Sequence, residues 1–483
     1  LSEGRLVGAR FLFLFCSDNK MNISTSNKDK YGEVFTPPFL VQQMIDDLNT
    51  TGLEDVMLTL SRAHKVFEPG AGKGVFFDVF VNQNNFFSEK DEFKYILNEI
   101  NHEHLDDLQE LSNQHGQSSE IILQDCLTLD VSHLEQCDLV IGNLPFNCHT
   151  KKFVPSLAKN NKCDKSVTQS KSITLWNKIT HFCFQHILKP GGYFYAIIPC
   201  IWLKPDRGGI YDLFTRDHNI ILLKTFDCRS ANTMFQYNCQ TPICYVLVQK
   251  KKTNIGLEHG TPSGIEPEKQ FKLYDHGCGK YMDFELRPGK CIPTHYVSRF
   301  ISHSQILKKR QISSCYEHVL KISTLHPSCL AGEIIRFSKG GLENYMEGTG
   351  CNDDVTDKTY KIITGSLFNK KTNVLTLNGF VSSIPCLYYG KPKLILPHKR
   401  LAKFFKDYDG SYSCFGRDMY VFLCDNKKQI DELCHFLEGN VNVNQMIESG
   451  FTIRMNFIEK YVFQYIPWIF DDGFDCDDYY SLS

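Results

Sequence analysis

The residues with the most chemical potential form one short run, Gly142-Asn143-Leu144-Pro145-Phe146-Asn147, directly after the apolar stretch Asp138–Ile141. An amino group on an aromatic base is a poor nucleophile, because its lone pair is delocalised into the ring. The Asn143 side-chain oxygen and the Leu144 backbone carbonyl can each accept one of its hydrogens. That pulls the nitrogen towards tetrahedral geometry and frees the lone pair for in-line attack on a carbon held roughly 3–3.5 Å away. Pro145 stiffens the turn, and Phe146 offers a ring face for a base extruded from its stack. Leu144 acts through its carbonyl, so proline there is expected to be tolerated. The bland alternative is a structural Asn-x-Pro turn closing a strand.

A second run, Phe67-Glu68-Pro69-Gly70-Ala71-Gly72-Lys73-Gly74, lies between a short strand and an apolar helical stretch. Glycines there let a backbone turn sharply and approach a ligand closely. Alone, such a turn is weak evidence. Glu99 and Asp125 strengthen it, for they close the next two expected strands. Glu99 is placed to accept from both hydroxyls of a ribose, and Asp125 to bind an adenine amine. The ligand-facing set is therefore Glu68, Pro69, Gly70, Ala71, Gly72, Gly74, Glu99, Asp125 and Asn143. The loop lacks the Gly-Lys-Ser/Thr of a phosphate cradle. Its acidic Glu68 would repel a pyrophosphate and suits a cation. S-adenosyl-L-methionine, a nucleoside carrying a sulfonium and an ammonium, fits better than ATP or NAD.

These residues need a scaffold that brings strand ends together. Leu40, Val41, Met44, Ile45 and Leu48 mark a helical face, with Thr36 as cap and Pro38 in the first turn. Strands are expected at Lys65–Phe67, Lys94–Leu97, Glu120–Leu123, Asp138–Ile141, Tyr193–Ile198, Ile220–Phe226 and Ile243–Val248. A helix over Ile173–Leu188 stops at Lys189-Pro190-Gly191-Gly192. The alternation predicts an α/β fold with a doubly wound, mostly parallel sheet. Beyond Lys250 the rhythm changes. Residues 253–268 read as a linker, and 269–483 as a C-terminal α+β module with short strands such as Lys361–Thr364, Leu394–Leu396 and Met419–Leu423. The catalytic unit is placed at 21–252, and residues 1–20 are expected to lie outside the natural fold.

With these motifs in place, the sequence resembles the gamma-class N6-adenine DNA methyltransferases of restriction-modification type. Tyr31-Gly32-Glu33-Val34-Phe35-Thr36-Pro37 is similar to that family's N-terminal motif, Glu68–Gly74, Glu99 and Asp125 to its next three, and Asn143–Phe146 to its catalytic Asn-Pro-Pro-Tyr/Phe. The resemblance covers roughly residues 31–250. It implies the class I S-adenosylmethionine methyltransferase fold, and it places Phe35 and Thr36 beside the methionine end of the cofactor. Lys391–Ile395, Arg454 and Ile466-Pro467 resemble fragments of type IIG recognition domains, which makes the C-terminal module a target-recognition domain. Leu144 departs from the family's usual proline. Gly-Asn-Leu-Pro-Phe-Asn also resembles the catalytic run of ribosomal RNA adenine dimethyltransferases, so RNA is the alternative substrate. A methyltransferase-like fold that binds nucleic acid without catalysis would be expected to have lost Asn143 or the glycines.

A formal net charge of −2 excludes a globally basic nucleic-acid binder, so a double-stranded DNA partner must be held by local patches. Candidate phosphate contacts are Lys151, Lys152 and Lys171 after the catalytic turn, and Lys393, Lys399 and Arg400 among Phe404, Phe405 and further lysines. The 20 cysteines contain no Cys-x-x-Cys pair, which argues for free thiols in a reducing compartment and against a zinc site. No membrane span is expected, and no nuclease half is visible. A stand-alone modification enzyme with a separate cognate restriction endonuclease is the expectation.

Overall fold

A computed structural model of the chain describes residues 31–83, 86–87, 93–114, 119–148, 173–252, 269–286, 289–321, 335–336, 360–369, 374–382, 385, 388–397, 402–414, 419–453 and 458–475. Nine strands build the main sheet: β1 (Lys65–Pro69), β2 (Lys94–Glu99), β3 (Ser119–Leu123), β4 (Cys137–Asn143), β5 (Leu188–Pro199), β6 (Asn219–Phe226), β7 (Ile243–Gln249), β8 (Lys269–Asp275) and β9 (Lys280–Leu286). Their spatial order is β9-β8-β6-β7-β5-β4-β1-β2-β3. Strands β3 to β5 pair in parallel, β7 runs antiparallel between β5 and β6, and β9 is antiparallel to β8. This is the doubly wound, mostly parallel sheet expected of the class I methyltransferase fold.

Successive residues of the central strands point to opposite faces, and both faces are covered. Phe67, Val140, Phe194 and Ala196 enter one core, whereas Val66, Leu139, Tyr195 and Ile197 enter the other. The strands therefore read as unbroken apolar runs. Helix α1 (Pro38–Thr50) buries the five residues that its periodicity singled out. Its cap differs from expectation. Pro37 occupies the N-cap with no side-chain bond, and Thr36 is buried instead, because Pro37 and Pro38 already preset the backbone and the first turn has few donors left to cap. Helix α2 (Glu54–Ser61) follows, and α3 (Val75–Phe77) continues through the wider turn Asp78–Gln83. Helix α4 (Leu105–Gln114) leads back to β3, and α5 (Leu175–Phe182), extended by Cys183–Ile187, to β5.

The chain leaves β1 towards β2 and β3 on one side, then returns to β4 on the other. The crevice where the strand order reverses lies between β1 and β4, and ligands bind such sheets there, outside the carboxyl ends. The two ends meet at Gly142, where the position of a Cβ would lie in contact with the Pro69 carbonyl at 3.5 Å and the φ of 153° favours glycine.

The hairpin β8–β9 belongs to this sheet, with β8 parallel to β6. The segment 253–268, read as a linker between domains, thus falls between two strands of one sheet; it lies outside the described residues. A Gly- and Pro-rich connection looks the same in sequence whichever it joins. The rest of the C-terminal part is α+β. Strands β10 (Val319–Lys321), β17 (Met419–Leu423), β14 (Lys393–Pro397) and β15 (Phe405–Asp407) form one sheet in that order. Strands β11 (Ile335–Arg336), β13 (Val374–Ser382), β12 (Tyr360–Asn369) and β16 (Tyr412–Cys414) form another. Helix α6 (Val297–Arg310) packs on β8 and β9 of the main sheet, α7 (Lys427–Cys434) packs on β14 and β15, and α8 (Val441–Ser449) follows α7. A buried Lys204–Glu459 ion pair (2.6 Å) and the Ile292 N–H donating to the Leu203 carbonyl (2.9 Å) join this part to the first.

Candidate active site

At the crevice the Gly-rich turn runs from the end of β1 into α3. Gly70, Gly72 and Gly74 have φ of 68°, 56° and 76°, a region in which side chains are strained. Two of them also need the space. A Cβ on Gly70 would come within 3.3 Å of the Pro145 ring, and one on Gly74 would meet Leu111 at 2.6 Å. The loop therefore lies directly against the Asn143–Phe146 turn, and α4 packs beneath it. The Ala71 N–H donates to the Asn98 carbonyl (2.9 Å), which ties the loop to β2.

Glu99, at the end of β2, is buried. Its Oε2 accepts the Gly72 N–H at 2.6 Å, and its Oε1 accepts the N–H groups of Ile100 (2.8 Å) and Asn101 (2.7 Å). Glu68 is also buried, and its Oε2 accepts the Tyr95 hydroxyl at 2.7 Å. Burial pushes the Glu68 carboxyl up to about 8, against the lowering effect of that bond. The segment 31–38 covers the opening from the other side. Asn143 Nδ2 donates to the Val34 carbonyl at 3.2 Å, and His104 Nε2 lies 2.9 Å from Glu33 Oε1. The Phe35 ring meets His104 edge-on, with centroids 5.7 Å apart. The Glu33 bond is the main reason that the His104 pKa is raised, with burial opposing it.

The resulting pocket brings together Phe35, Thr36, Glu68, Gly70, Ala71, Gly72, Glu99, Asn143, Leu144, Pro145 and Phe146, eleven residues that the sequence had singled out. It does not include Pro69, Gly74 or Asp125. Pro69 is buried at the end of β1, and Gly74 packs on α4. Asp125 is exposed and caps the short turn after β3, accepting the Leu127 N–H at 3.0 Å. That bond engages one carboxylate oxygen and leaves Oδ2 to other donors. The sequence reading missed Glu33, His104 and Tyr95. Glu33 stood inside a motif already noted. His104 and Tyr95 carry no local signal, since each acquires its partner only when distant segments meet.

Three acidic side chains line the pocket, Glu33, Glu99 and Glu68, the last held largely protonated by its burial, and the one cation lining it among the described residues, Lys73, pairs with Asp107 at 2.9 Å. Such a lining favours a cation over a polyphosphate. Two buried oxygens in it meet no donor among the described residues, Asn143 Oδ1 and Glu33 Oε2. Buried acceptors are normally satisfied, so both oxygens call for donors from outside the described residues.

The proposed phosphate contacts fare differently. Lys151, Lys152, Lys171, Lys399 and Arg400 lie outside the described residues. The short ribbon of Asn147–Cys148 with Ile173–Thr174 brings the residues that flank the 149–172 segment together just after the Asn143–Phe146 turn. Lys393 is corrected. It is fully buried, 2.5 Å from Asp407 and bonded to the carbonyls of Tyr388 and Lys391, so its ammonium is not available to a phosphate. The strand Lys393–Pro397 runs through the middle of its sheet, which turns this lysine inward. Nearby Lys403 and Lys406 are likewise paired, with Glu438 and Asp431. Among the described residues no cluster of His, Cys, Asp and Glu could hold a metal, and no helix is long and apolar enough to cross a membrane.

No family model and no curated protein matches the chain. Solved structures show a distant likeness. A class I S-adenosylmethionine-dependent methyltransferase of Listeria monocytogenes is 13% identical, with a TM-score of 0.32 over 48% of this chain and 65% of its own. Type I restriction-modification methyltransferase subunits of Streptococcus thermophilus and Vibrio vulnificus are each 14% identical, with TM-scores of 0.34 and 0.33 over 52% of this chain. The chain spans about half the length of those two subunits, 50% and 49%. At TM-scores of this size, the assignment of fold rests on the strand order and crevice described above.

Proposed function

We propose that this chain is an S-adenosyl-L-methionine-dependent methyltransferase acting on the amino group at N6 of adenine in double-stranded DNA. The observation that carries the reading is Asn143 Oδ1: a buried acceptor that meets no donor among the described residues, at the end of β4, in the pocket that the Gly-rich loop and Glu99 also line. The Val34 carbonyl fixes which way the amide points. By taking the Nδ2 hydrogen it leaves the oxygen to accept from an incoming amine. The acidic lining, the Glu99 carboxylate and the close Gly70–Pro145 packing suit a cationic nucleoside, which supplies a methyl group on a sulfonium. The chain's own residues then do the rest. Asn143 Oδ1 and the Leu144 carbonyl accept the amine hydrogens, Phe146 stacks on the base, and the segment 31–38 excludes water.

On this reading the lysines of 149–172 contact DNA phosphates beside the reaction centre, the C-terminal α+β part selects the target sequence, and a separate restriction endonuclease is the cognate partner. The test is methylation of duplex DNA with cofactor labelled in its methyl group, followed by nucleoside analysis. Label in N6-methyladenine supports the proposal. Label entering structured RNA in preference, as dimethyladenine, assigns the chain to the RNA enzymes. No transfer to either overturns both.

A further inference from the structure

A ribose brings two hydroxyl donors into a cofactor pocket, and the observed acceptors do not match them through Glu99 alone. An ionised carboxylate has about four acceptor positions. Three of those on Glu99 are taken by the N–H groups of Gly72, Ile100 and Asn101. One position is left for two hydroxyls.

A second carboxylate meets the same turn. His104 Nε2 donates to Glu33 Oε1 at 2.9 Å, so Asn101 Nδ2, 3.3 Å away, neighbours that nitrogen without bonding to it. Glu33 is thus anchored on the turn directly after Glu99, although it comes from the covering segment 66 positions before Glu99. Its side chain is 11% exposed, and that of His104 is 7% exposed. The outer oxygen, Oε2, is buried in the pocket lining and meets no donor among the described residues. Leaving a charged acceptor unpaired under cover is costly unless something fills it. Phe35 packs edge-on against His104, with the Lys73 ammonium 6.0 Å from its ring, and holds the arrangement from the far side.

We propose that Glu33 is a cofactor-positioning residue: its Oε2 accepts one ribose hydroxyl while His104 holds its Oε1, and Glu99 accepts the other. This rests on the cofactor reading above and adds a role for the covering segment, which then clasps the ribose as well as closing the pocket. Ligand affinity becomes coupled to the closure of residues 31–38.

The test is calorimetric titration of the full chain with S-adenosylhomocysteine and with its 2′-deoxy and 3′-deoxy counterparts, using the unaltered protein, Glu33→Ala and Glu33→Gln. For the unaltered protein, each deoxy ligand should bind about tenfold or more weakly than the full ribose. Glu33→Ala should weaken S-adenosylhomocysteine by a similar factor yet leave one deoxy ligand unaffected, because the hydroxyl that Glu33 serves is already missing. Glu33→Gln, which keeps an accepting oxygen, should recover part of the loss. An equal loss for all three ligands makes Glu33 structural only and overturns the proposal. A loss that disappears with 5′-methylthioadenosine, which keeps the ribose and lacks the amino acid, assigns Oε2 to the ammonium and also overturns it. If the unaltered chain binds S-adenosylhomocysteine with no measurable affinity, the cofactor reading falls and this inference with it.

Discussion

Replacing Leu144 by proline separates what the motif suggests from what the fold requires. The residue's chemical contribution is its carbonyl, which proline retains, and a proline would match the commoner form of the motif. The structure gives the leucine two further tasks. Its N–H donates to the Ile197 carbonyl at 3.3 Å, and its side chain is 1% exposed within the core that holds Trp176, Ile179 and Ala196. Proline has no N–H to give, so a hydrogen bond worth about 1 kcal/mol net is lost and a buried carbonyl is left short of a partner. Its ring keeps most of the apolar bulk but not the shape, which costs about 1–2 kcal/mol more in a packed core. The preceding residue raises no obstacle, because Asn143 is already extended, as a residue before proline must be. Leu144→Pro should therefore destabilise the protein by about 2–3 kcal/mol while turnover per folded molecule stays near normal. Urea unfolding followed by the fluorescence of the buried Trp176 and Trp202 measures the first, and a low-temperature methyl-transfer assay the second. Leu144→Ala, which keeps the N–H, isolates the packing share. A proline variant within about 0.5 kcal/mol of the parent would refute the reasoning, since surface-like substitutions fall in that range.

The other expectations concern separate parts of the molecule. Asn143→Ala should lower turnover about 100-fold or more while S-adenosylhomocysteine affinity changes little, because its oxygen engages only an incoming amine; near-normal turnover would move the reaction centre elsewhere. Glu68 has a carboxyl raised from 4.5 to about 8 by burial, so the folded state binds its proton more tightly than the unfolded chain does. Stability should then fall as pH rises through the window between those values, by at most about 1.4 kcal/mol per pH unit, and Glu68→Gln should flatten the profile measured by chemical denaturation. Asp47, on α1, accepts from Lys224 Nζ (3.0 Å) and from the hydroxyls of Tyr281 (2.7 Å) and Tyr245, and so clamps α1 to β6, β7 and β9. Asp47→Ala leaves the buried Lys224 ammonium without its counter-ion and should cost about 3 kcal/mol in thermal or urea unfolding; a loss under 1 kcal/mol would show the clamp to be dispensable. Affinity for duplex DNA should drop at least about tenfold between about 50 and 200 mM salt if the lysines of 149–172 neutralise phosphates, and a flat profile argues against that contact.

Much of the fold was legible because its signals are local. Strands β1 to β7 announced themselves as short apolar runs bounded by turn residues, and α1 by five apolar residues at helical spacing. Glycines 70 and 72 could be read because a left-handed backbone admits few other residues, and the place of Asn143 because the apolar run before it ends there. Charge alone misled at Lys393, since a lysine in a central strand and one on a rim are the same letter, and whether Asp407 waits beside it depends on strand pairing. The boundary after residue 252 was misplaced for a related reason: which strand a hairpin joins is decided by open edges, and the edge of β6 is invisible in one dimension. Asp125 lies outside the pocket lining, with one carboxylate oxygen on the nearest backbone N–H, a local bond that the motif order does not reveal. The clasp of Glu33 with His104, the bond from Tyr95 to Glu68 and the Val34 carbonyl that orients Asn143 join residues 27 to 109 positions apart. Local spacing determined which residues could do chemistry; the long-range contacts that fix their protonation, orientation and unfilled hydrogen bonds exist only once the sheet and its covering segment have closed on one another.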